Sequence, residues 1–433
     1  MQKRTLKPAT AQGIYFWNMA GSVCNAANTV LMTLLITRLC GAAAAGVYSM
    51  ALAVAQLVGP VGLFEIRNFQ VSDAKKEYSF SEYYTARLFS LGAALIFIGA
   101  WVLVKGYTGE KLVVILCCCA FKLIDCLEDV YQGLLQVHER LDIVGKSFAL
   151  RIIADAVLFA VLLFLWNNLI VALVAYTLFA AVWVMAVTVP AANHFARPKW
   201  QASPRIFHLF TVCVPLFLTS FLMSYIISAP KYAIDVSLSA EMQTYFSVLF
   251  MPAAVVNLFT IILYRLYMTR MAEDWVRGRL SDFLRQVFLL LAWIALLGAG
   301  VLCGAWLLGI PVLKLIYGLE ELTPYRPELM LIILGGIFSA AAGWFNVVLT
   351  IMRRQKSLLF INAAAAMLMW LTAKPLVATN GLRGAAQSYL YTMLLLVVLQ
   401  SAYMLRVWLC MKNNANKKGI QEPEDPNEGR KQK

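Results

Sequence analysis

The sequence predicts an all-α polytopic membrane protein of about twelve transmembrane helices with both termini in the cytoplasm. Three observations predict this class. Of the 433 residues, 61% are hydrophobic and only 14% are charged. Apolar windows of about 20 residues, long enough to cross a bilayer core of ~30 Å, recur along nearly the whole chain. The basic residues cluster in alternate loops, which is typical of cytoplasmic loops. The net charge of +14 therefore reflects membrane topology, and we expect no nucleic-acid partner.

The first half of the chain contains six predicted membrane segments, at 13–37, 44–64, 84–104, 111–133, 147–166 and 169–190. The inner loop 65–87, which is rich in charged and aromatic residues, indicates either an amphipathic stretch on the membrane surface or an ordinary solvated loop. The outer connections at 106–110 and 167–168 are too short for an outer domain.

A polar, proline-containing linker at 194–208 separates this half from six further segments, at 209–229, 243–264, 286–310, 329–352, 358–378 and 385–409. A strongly basic inner loop at 265–285 follows the eighth segment. The predicted domains are an N-terminal six-helix lobe (1–193), the cytoplasmic linker (194–208), a C-terminal six-helix lobe (209–411) and a disordered cytoplasmic tail (412–433).

The first segment is unusually polar for a helix in lipid. Its polar residues recur at spacings of three and four, which places them on one helical face: Asn18, Ser22, Asn25, Thr29 and Thr33. Such a stripe is either a seam that hydrogen-bonds a neighbouring helix or the wall of a cavity. In the second case Asn18 and Asn25 are candidate substrate contacts.

The inner ends of segments four and five hold the densest set of charges. If these antiparallel helices are neighbours, Asp129 and Arg151 lie about one turn deep, and Asp125 and Asp155 about two turns deep. The depth predicts that Asp129 pairs with Arg151, while Asp125 and Asp155 compete for Lys122. These residues form a candidate gate, and coupling to H⁺ or Na⁺ through a crowded carboxylate is one hypothesis. A static ion-pair network is the alternative.

Four cations form a second candidate site: Arg38, Lys122, Lys231 and Lys374. Lysine and arginine side chains can replace the water around an anionic group by charge-assisted hydrogen bonds. The alternative for Arg38, Lys231 and Lys374 is that they reach to the outer interface, whereas Lys122 lies near the middle of the membrane.

Signatures of soluble enzymes are missing from the sequence. It has no phosphate-binding loop and no His-Glu helix motif, and none of its nine cysteines has the spacing of metal ligands. We therefore expect no catalytic residues, no metal site and no cofactor.

Several short motifs resemble the Wzx-type polysaccharide flippases. The stretch 128–136 with 140–142 is similar to the fourth-helix region of that family, and 229–235 with 250–252 to its junction of segments seven and eight. Comparable residues also occur at 313–318, 324–325 and 381–386. The family belongs to the multidrug/oligosaccharidyl-lipid/polysaccharide (MOP) exporter superfamily, and the resemblance spans essentially the whole chain.

This resemblance implies a MATE/MurJ-like fold of two six-helix lobes in the bacterial cytoplasmic membrane. It further implies that a polyprenyl-pyrophosphate-linked oligosaccharide is flipped from the inner to the outer leaflet by alternating access. Membrane lipids, a polysaccharide polymerase and glycosyltransferases are the expected partners. An ion-coupled multidrug or metabolite antiporter of the same superfamily is the nearest alternative, and a membrane-embedded polymerase or glycosyltransferase is a more distant one.

Overall fold

A computed structural model describes residues 11–73 and 76–417, and every regular element in these ranges is helical. The helices are α1 Ala11–Cys40, α2 Ala42–Leu63, α3 Ile66–Ser72, α4 Phe80–Lys105, α5 Gly109–Val137, α6 Leu141–Trp166, α7 Leu169–Trp183, α8 Val189–Asn193, α9 Pro204–Ser237, α10 Ala240–Val276, α11 Leu280–Gly304, α12 Ile310–Tyr317, α13 Arg326–Ile351 and α14 Gln355–Lys417. The predicted all-α class is confirmed.

Nine helical stretches within the described ranges are long and apolar enough to cross a membrane, which supports a multi-pass membrane protein. One of them, in α14, covers 57 residues and is interrupted at Gly381, whose φ of 58° and ψ of −136° are not helical. Helices α5 and α10 are long but are not among the nine. The count of about twelve spans and the cytoplasmic side of both termini stay predictions.

Local chemistry explains where several helices begin and end. Ser79 and Glu82 form a reciprocal capping box at the start of α4, which satisfies backbone N–H groups that have no partner within the helix. Between α6 and α7, Asn167 adopts a left-handed conformation (φ 45°), and the side chain of Asn168 accepts a hydrogen bond from the Val171 amide at 3.1 Å. The short predicted connection at 167–168 is confirmed.

The inner loops are more helical than the sequence predicts. Loop 65–87 contains helix α3, and α4 begins at Phe80, so Arg87 lies inside a helix and is fully buried. The basic loop 265–285 is also helical up to Val276, where α10 ends. Helix α4 therefore begins four residues before the predicted segment 84–104, and α10 extends twelve residues beyond the predicted end at 264, because hydropathy windows exclude charged turns that a helix includes.

Contacts divide the chain into two compact units. Unit 1 comprises Met1–Val248 with Lys314–Leu319, and unit 2 comprises Leu249–Leu313 with Glu320–Lys433. Helix α9 thus packs within unit 1, although the sequence assigns most of it to the second lobe. The domain bounds 1–193, 194–208, 209–411 and 412–433 stay predictions. Most of the predicted tail, 418–433, lies outside the described residues, and helix α14 continues to Lys417.

Helix α2 lies at the centre of unit 1. In the most apolar 18-residue stretch of α2, 67% of the residues are buried, whereas the corresponding fraction is 17% in α4 and in α9. Small residues let α5 approach closely: Gly59 faces the Lys122 side chain, and Gly62 faces Cys126. In unit 2, α11, α13 and α14 pack around the fully buried Trp344.

Candidate functional site

A buried ion-pair network joins α5 to α6 in unit 1. Arg151 Nη2 lies 2.5 Å from Asp125 Oδ1, and Arg151 Nη1 lies 3.0 Å from Glu128 Oε2. The side chains of Arg151 and Glu128 are each only 1% exposed, whereas Asp125 is 24% exposed. Thr188, in a π-helical turn after α7, donates to Glu128 at 2.7 Å. Each charge at the centre of this network therefore has a partner.

A second network surrounds Asp129. Arg67 of α3 lies 3.0 Å from Asp129 Oδ1, and Arg87 of α4 lies 2.6 Å from Asp129 Oδ2. Arg87 also donates to the Gly62 carbonyl at 2.6 Å. The prediction that Asp129 pairs with Arg151 is therefore wrong. The reason is helical phase: consecutive residues are about 100° apart around a helix, so Glu128 faces α6 while Asp129 faces α3 and α4.

Asp155 is the exception among these carboxylates. Asp155 is fully buried, and neither of its carboxylate oxygens has a hydrogen-bond partner among the described residues. Lys122 lies 3.8 Å from Asp125, and no ion pair joins it to Asp155. The predicted competition for Lys122 is thus not seen. Within residues 11–73 and 76–417, no three His, Cys, Asp or Glu side chains are grouped to hold a metal ion.

A cavity of about 170 Å³ adjoins the first network. Helices α1, α2, α5 and α7 line it, and the polar residues on its wall are Asn25, Asn28, Thr29, Tyr48, Gln56, Lys122, Asp125, Tyr176 and Thr177. Asn28 donates to the Tyr176 hydroxyl at 3.0 Å across this cavity. Lys122 and Asp125 are therefore the points where the ion-pair network reaches an open, polar space.

The polar stripe of α1 has two parts: one forms hydrogen bonds with a neighbouring helix, and the other lines the cavity. Asn18 donates to the backbone carbonyls of Ile14 at 2.8 Å and of Leu141 at 3.1 Å, so it binds α1 to the start of α6. Asn25, two turns further along, lines the cavity. Asn18 therefore belongs to a seam between two helices, whereas Asn25 belongs to the cavity wall.

The candidate cations of unit 1, Arg38, Lys122 and Lys231, lie in different surroundings, and Lys374 belongs to unit 2. Arg38 is exposed and donates to the carbonyls of Leu315 and, at 2.8 Å, Ile316. Lys374 is exposed on α14 in unit 2. Lys231 lies within α9, which extends to Ser237, and is half-buried without a hydrogen bond or ion pair to any residue that the structure describes. Of this set, only Lys122 lines the cavity.

Sequence reasoning missed several residues of the site. Glu128 was a detectable candidate, because it lies three residues after Asp125 and so on a neighbouring face of α5. Arg67 and Arg87 counted only as charges on the inner side, since the sequence does not show that α3 and α4 pack against Asp129 of α5. Nothing in the sequence indicates that Asn28 and Tyr176 line a cavity, because a single polar residue in an apolar segment does not show which neighbour it faces.

Neither a protein-family model nor a curated protein matches the sequence. Solved structures do match its fold. The lipid II flippase MurJ in an inward closed conformation has a TM-score of 0.68 and 11% identity, covering 94% of this chain and 90% of that one. An inward-facing multidrug resistance MATE family transporter of the MOP superfamily has a TM-score of 0.63 and 14% identity, covering 94% and 97%. A eukaryotic MATE transporter has a TM-score of 0.60 and 15% identity, covering 94% and 98%. The chain therefore has a MATE/MurJ-like fold.

Proposed function

We propose that the protein is a transporter of the MOP superfamily that flips a polyprenyl-pyrophosphate-linked oligosaccharide across the bacterial cytoplasmic membrane. Alternating access between the two membrane faces would move the headgroup from the inner to the outer leaflet. The shared fold with a lipid II flippase, over 94% of the chain, supports this proposal. Polymerases and glycosyltransferases that use the flipped unit would be its partners.

The observation that carries the proposal is Lys231. A charged side chain within a membrane helix is costly unless it is paired or faces water, and such residues mark substrate and ion pathways. Lys231 is half-buried in α9 and has no counter-ion among the described residues. By contrast, Lys111 at the start of α5 pairs with Asp235. An anionic headgroup would neutralise this ammonium group and accept charge-assisted hydrogen bonds from it.

Reconstitution in liposomes tests this function. A fluorescent polyprenyl-pyrophosphate oligosaccharide is placed in the inner leaflet, and its arrival in the outer leaflet is measured with a membrane-impermeant quencher. We expect wild-type protein to move the label and Lys231→Met to slow it by roughly tenfold or more, since hydrogen bonds to charged groups contribute about 1.5–3 kcal/mol. The control is Lys105→Met, because Lys105 is exposed at the end of α4. No movement above empty vesicles would reject the proposal.

Ion-coupled antiport of a small molecule is the second candidate, and Asp155 is the observation that favours it. A fully buried carboxylate without a hydrogen-bond partner among the described residues is costly when ionised, so a proton or a cation that neutralises it is a physical expectation. Its test is dye efflux from proteoliposomes under an imposed H⁺ or Na⁺ gradient. We expect Asp155→Asn to abolish the dependence on the gradient. The control is Asp142→Asn, which should keep this dependence, because the wild-type Asp142 carboxylate pairs with Arg140 at the start of α6. Dependence that is unchanged in Asp155→Asn would exclude this residue from coupling.

A further inference from the structure

An apolar groove lies between α4 and the N-terminal end of α9, away from the polar cavity. Its volume is about 620 Å³. Four phenylalanines dominate its wall, and the lining residues are Phe64, Phe89, Ser90, Ala93, Ala202, Ser203, Pro204, Ile206, Phe207 and Phe210. All of them belong to unit 1. The groove is within the volume range of small-molecule sites, about 300–1,000 Å³.

The two hydroxyl groups on the wall are already used by the protein. Ser90 donates to the Gly62 carbonyl at 2.7 Å, and Ser203 accepts a hydrogen bond from the Arg205 amide at 3.3 Å. The groove therefore offers a ligand little beyond apolar surface. In a helix bundle that faces lipid, the ligand that such a surface favours is a hydrocarbon chain.

The chain segment that leads into the groove wall is basic. Over 194–210 the sequence has several cations and no acidic residue. Arg197 and Lys199 are exposed and form no ion pair within the described ranges. Ala202 begins the groove wall three residues after Lys199, a span of at most about 10 Å. Trp200, which is 62% exposed, packs against Phe89 with ring centroids 5.5 Å apart, as tryptophans do at the membrane–water interface.

Hydrogen bonds attach the linker that carries these cations to α4. The Lys199 amide donates to Ser81 at 3.1 Å, and the Gln201 amide donates to Thr85 at 3.1 Å. Ser79 also donates to the Gln201 side chain at 3.2 Å. The linker backbone at 199–201 is thus attached to the first two turns of α4, directly before the groove wall begins at Ala202.

We propose that this groove binds an anionic phospholipid, with one acyl chain against Phe64, Phe89 and Phe210 and the phosphate beside Arg197 and Lys199. Charge complementarity selects this occupant, because basic pockets between membrane helices bind anionic headgroups. The lipid would be a resident ligand of unit 1 and is distinct from the transported substrate.

Native mass spectrometry of the detergent-purified full chain tests the site. The probes are phosphatidylglycerol and phosphatidylcholine with identical acyl chains, titrated separately. We expect phosphatidylglycerol to bind more tightly, and Arg197→Ala and Lys199→Ala to weaken it roughly five-fold each. The matched control is Lys356→Ala, which removes another exposed cation, at the start of α14, that forms no ion pair with a residue the structure describes. Raising the ionic strength should weaken the wild-type preference, because salt screens exposed charges.

A second pair of variants tests the chain-binding part. Ala93→Trp fills the groove and should weaken phosphatidylglycerol roughly tenfold, because it displaces buried methylene groups. Ala100→Trp, which changes another exposed alanine two turns further along α4 and outside the groove wall, should not change the affinity. Equal affinity for both lipids, no effect of the cation variants, or the same effect of both tryptophans would overturn the proposal. Preferential retention of a polyprenyl phosphate over phosphatidylglycerol would also overturn it, since the groove would then belong to the substrate path.

Discussion

At the scale of single residues, Arg151 is a buried cation with contacts to two carboxylates and two aromatic rings in unit 1. It lies between the rings of Phe121 and Phe148, 5.6 Å from each centroid, and bridges Asp125 and Glu128. A planar guanidinium can form two such pairs and stack on aromatic faces at once, which an ammonium cannot do. Removing Arg151 leaves Glu128 buried without its counter-ion.

We therefore predict that Arg151→Met lowers the free energy of unfolding by about 3–5 kcal/mol, the usual cost of breaking a buried ion pair. The control is Arg277→Met, because Arg277 forms an exposed pair with Glu273 and should contribute about 0.5 kcal/mol or less. Unfolding in mixed micelles measures both. A similar loss in the two variants would show that burial does not strengthen the Arg151 contacts. The double variant Arg151→Met/Glu128→Gln should recover part of the stability.

The sequence identifies which residues of the site are unusual but not how they pair. Lys122, Asp125 and Asn25 are visible as polar residues in apolar segments, and all three line the cavity. The partner of Asp129 depends on the rotation of α5 about its axis and on the packing of α3, neither of which a single sequence reveals. Depth along a helix is predictable from residue counts, whereas helical phase relative to several neighbours is a tertiary property.

At the scale of elements, the connection between α3 and α4 is held together by one carboxylate. Asp73 accepts hydrogen bonds from the Glu77 amide at 2.9 Å, the Tyr78 amide at 3.1 Å and the Tyr83 hydroxyl at 2.8 Å. Tyr78 is buried beneath this turn and contacts His208 of α9 at 2.8 Å. Asp73 therefore ties residues 77 and 78 and the first turn of α4 to the end of α3.

These contacts make the turn dependent on pH. Burial alone would raise the pKa of Asp73, but the three hydrogen bonds to its ionised form lower the pKa below the ordinary value. The stabilisation is therefore present above the ordinary carboxyl pKa of about 3.9 and is lost as pH falls through the lower pKa of the folded state.

We predict that Asp73→Asn makes the amides of Glu77 and Tyr78 exchange with deuterium roughly tenfold faster at neutral pH, since a hydrogen bond to a charged group contributes about 1.5–3 kcal/mol. Hydrogen exchange with mass spectrometry measures this on the detergent-solubilised protein. Asp282→Asn, which removes an exposed carboxylate from the first turn of α11, should leave the exchange of this turn unchanged. Wild-type protection of the two amides that does not decrease on acidification would contradict the role of the charge.

At the scale of the whole molecule, the hydropathy pattern predicts the positions of the membrane helices and leaves their ends open. Segment 44–64 coincides with α2, and segment 169–190 begins with α7 and continues through the π-helical turn 184–188 into α8. Their ends depend on caps such as Ser79 and on charged turns that pack against protein, as Arg87 does in α4. Burial of such turns is a consequence of tertiary packing, so a hydropathy window misses them.

Orientation in the membrane is the whole-molecule property that the charge distribution predicts most directly. Basic residues concentrate at 197–205 and 353–356, whereas the connection 106–110 and the segment 320–325 contain acidic residues and few cations. Because lysine and arginine are retained on the cytoplasmic side, the first pair of segments should face the cytoplasm and the second pair the exterior.

Cysteine labelling in intact cells checks this orientation. In a variant without the nine native cysteines, we predict that Thr108→Cys and Glu321→Cys react with a membrane-impermeant maleimide. Arg197→Cys and Gln355→Cys should react only after the membrane is permeabilised. All four positions are exposed in the structure, so a lack of reaction in intact cells reports the side of the membrane and not burial. Reaction of Arg197→Cys without permeabilisation would invert the topology, and with it the leaflet from which a lipid-linked substrate enters.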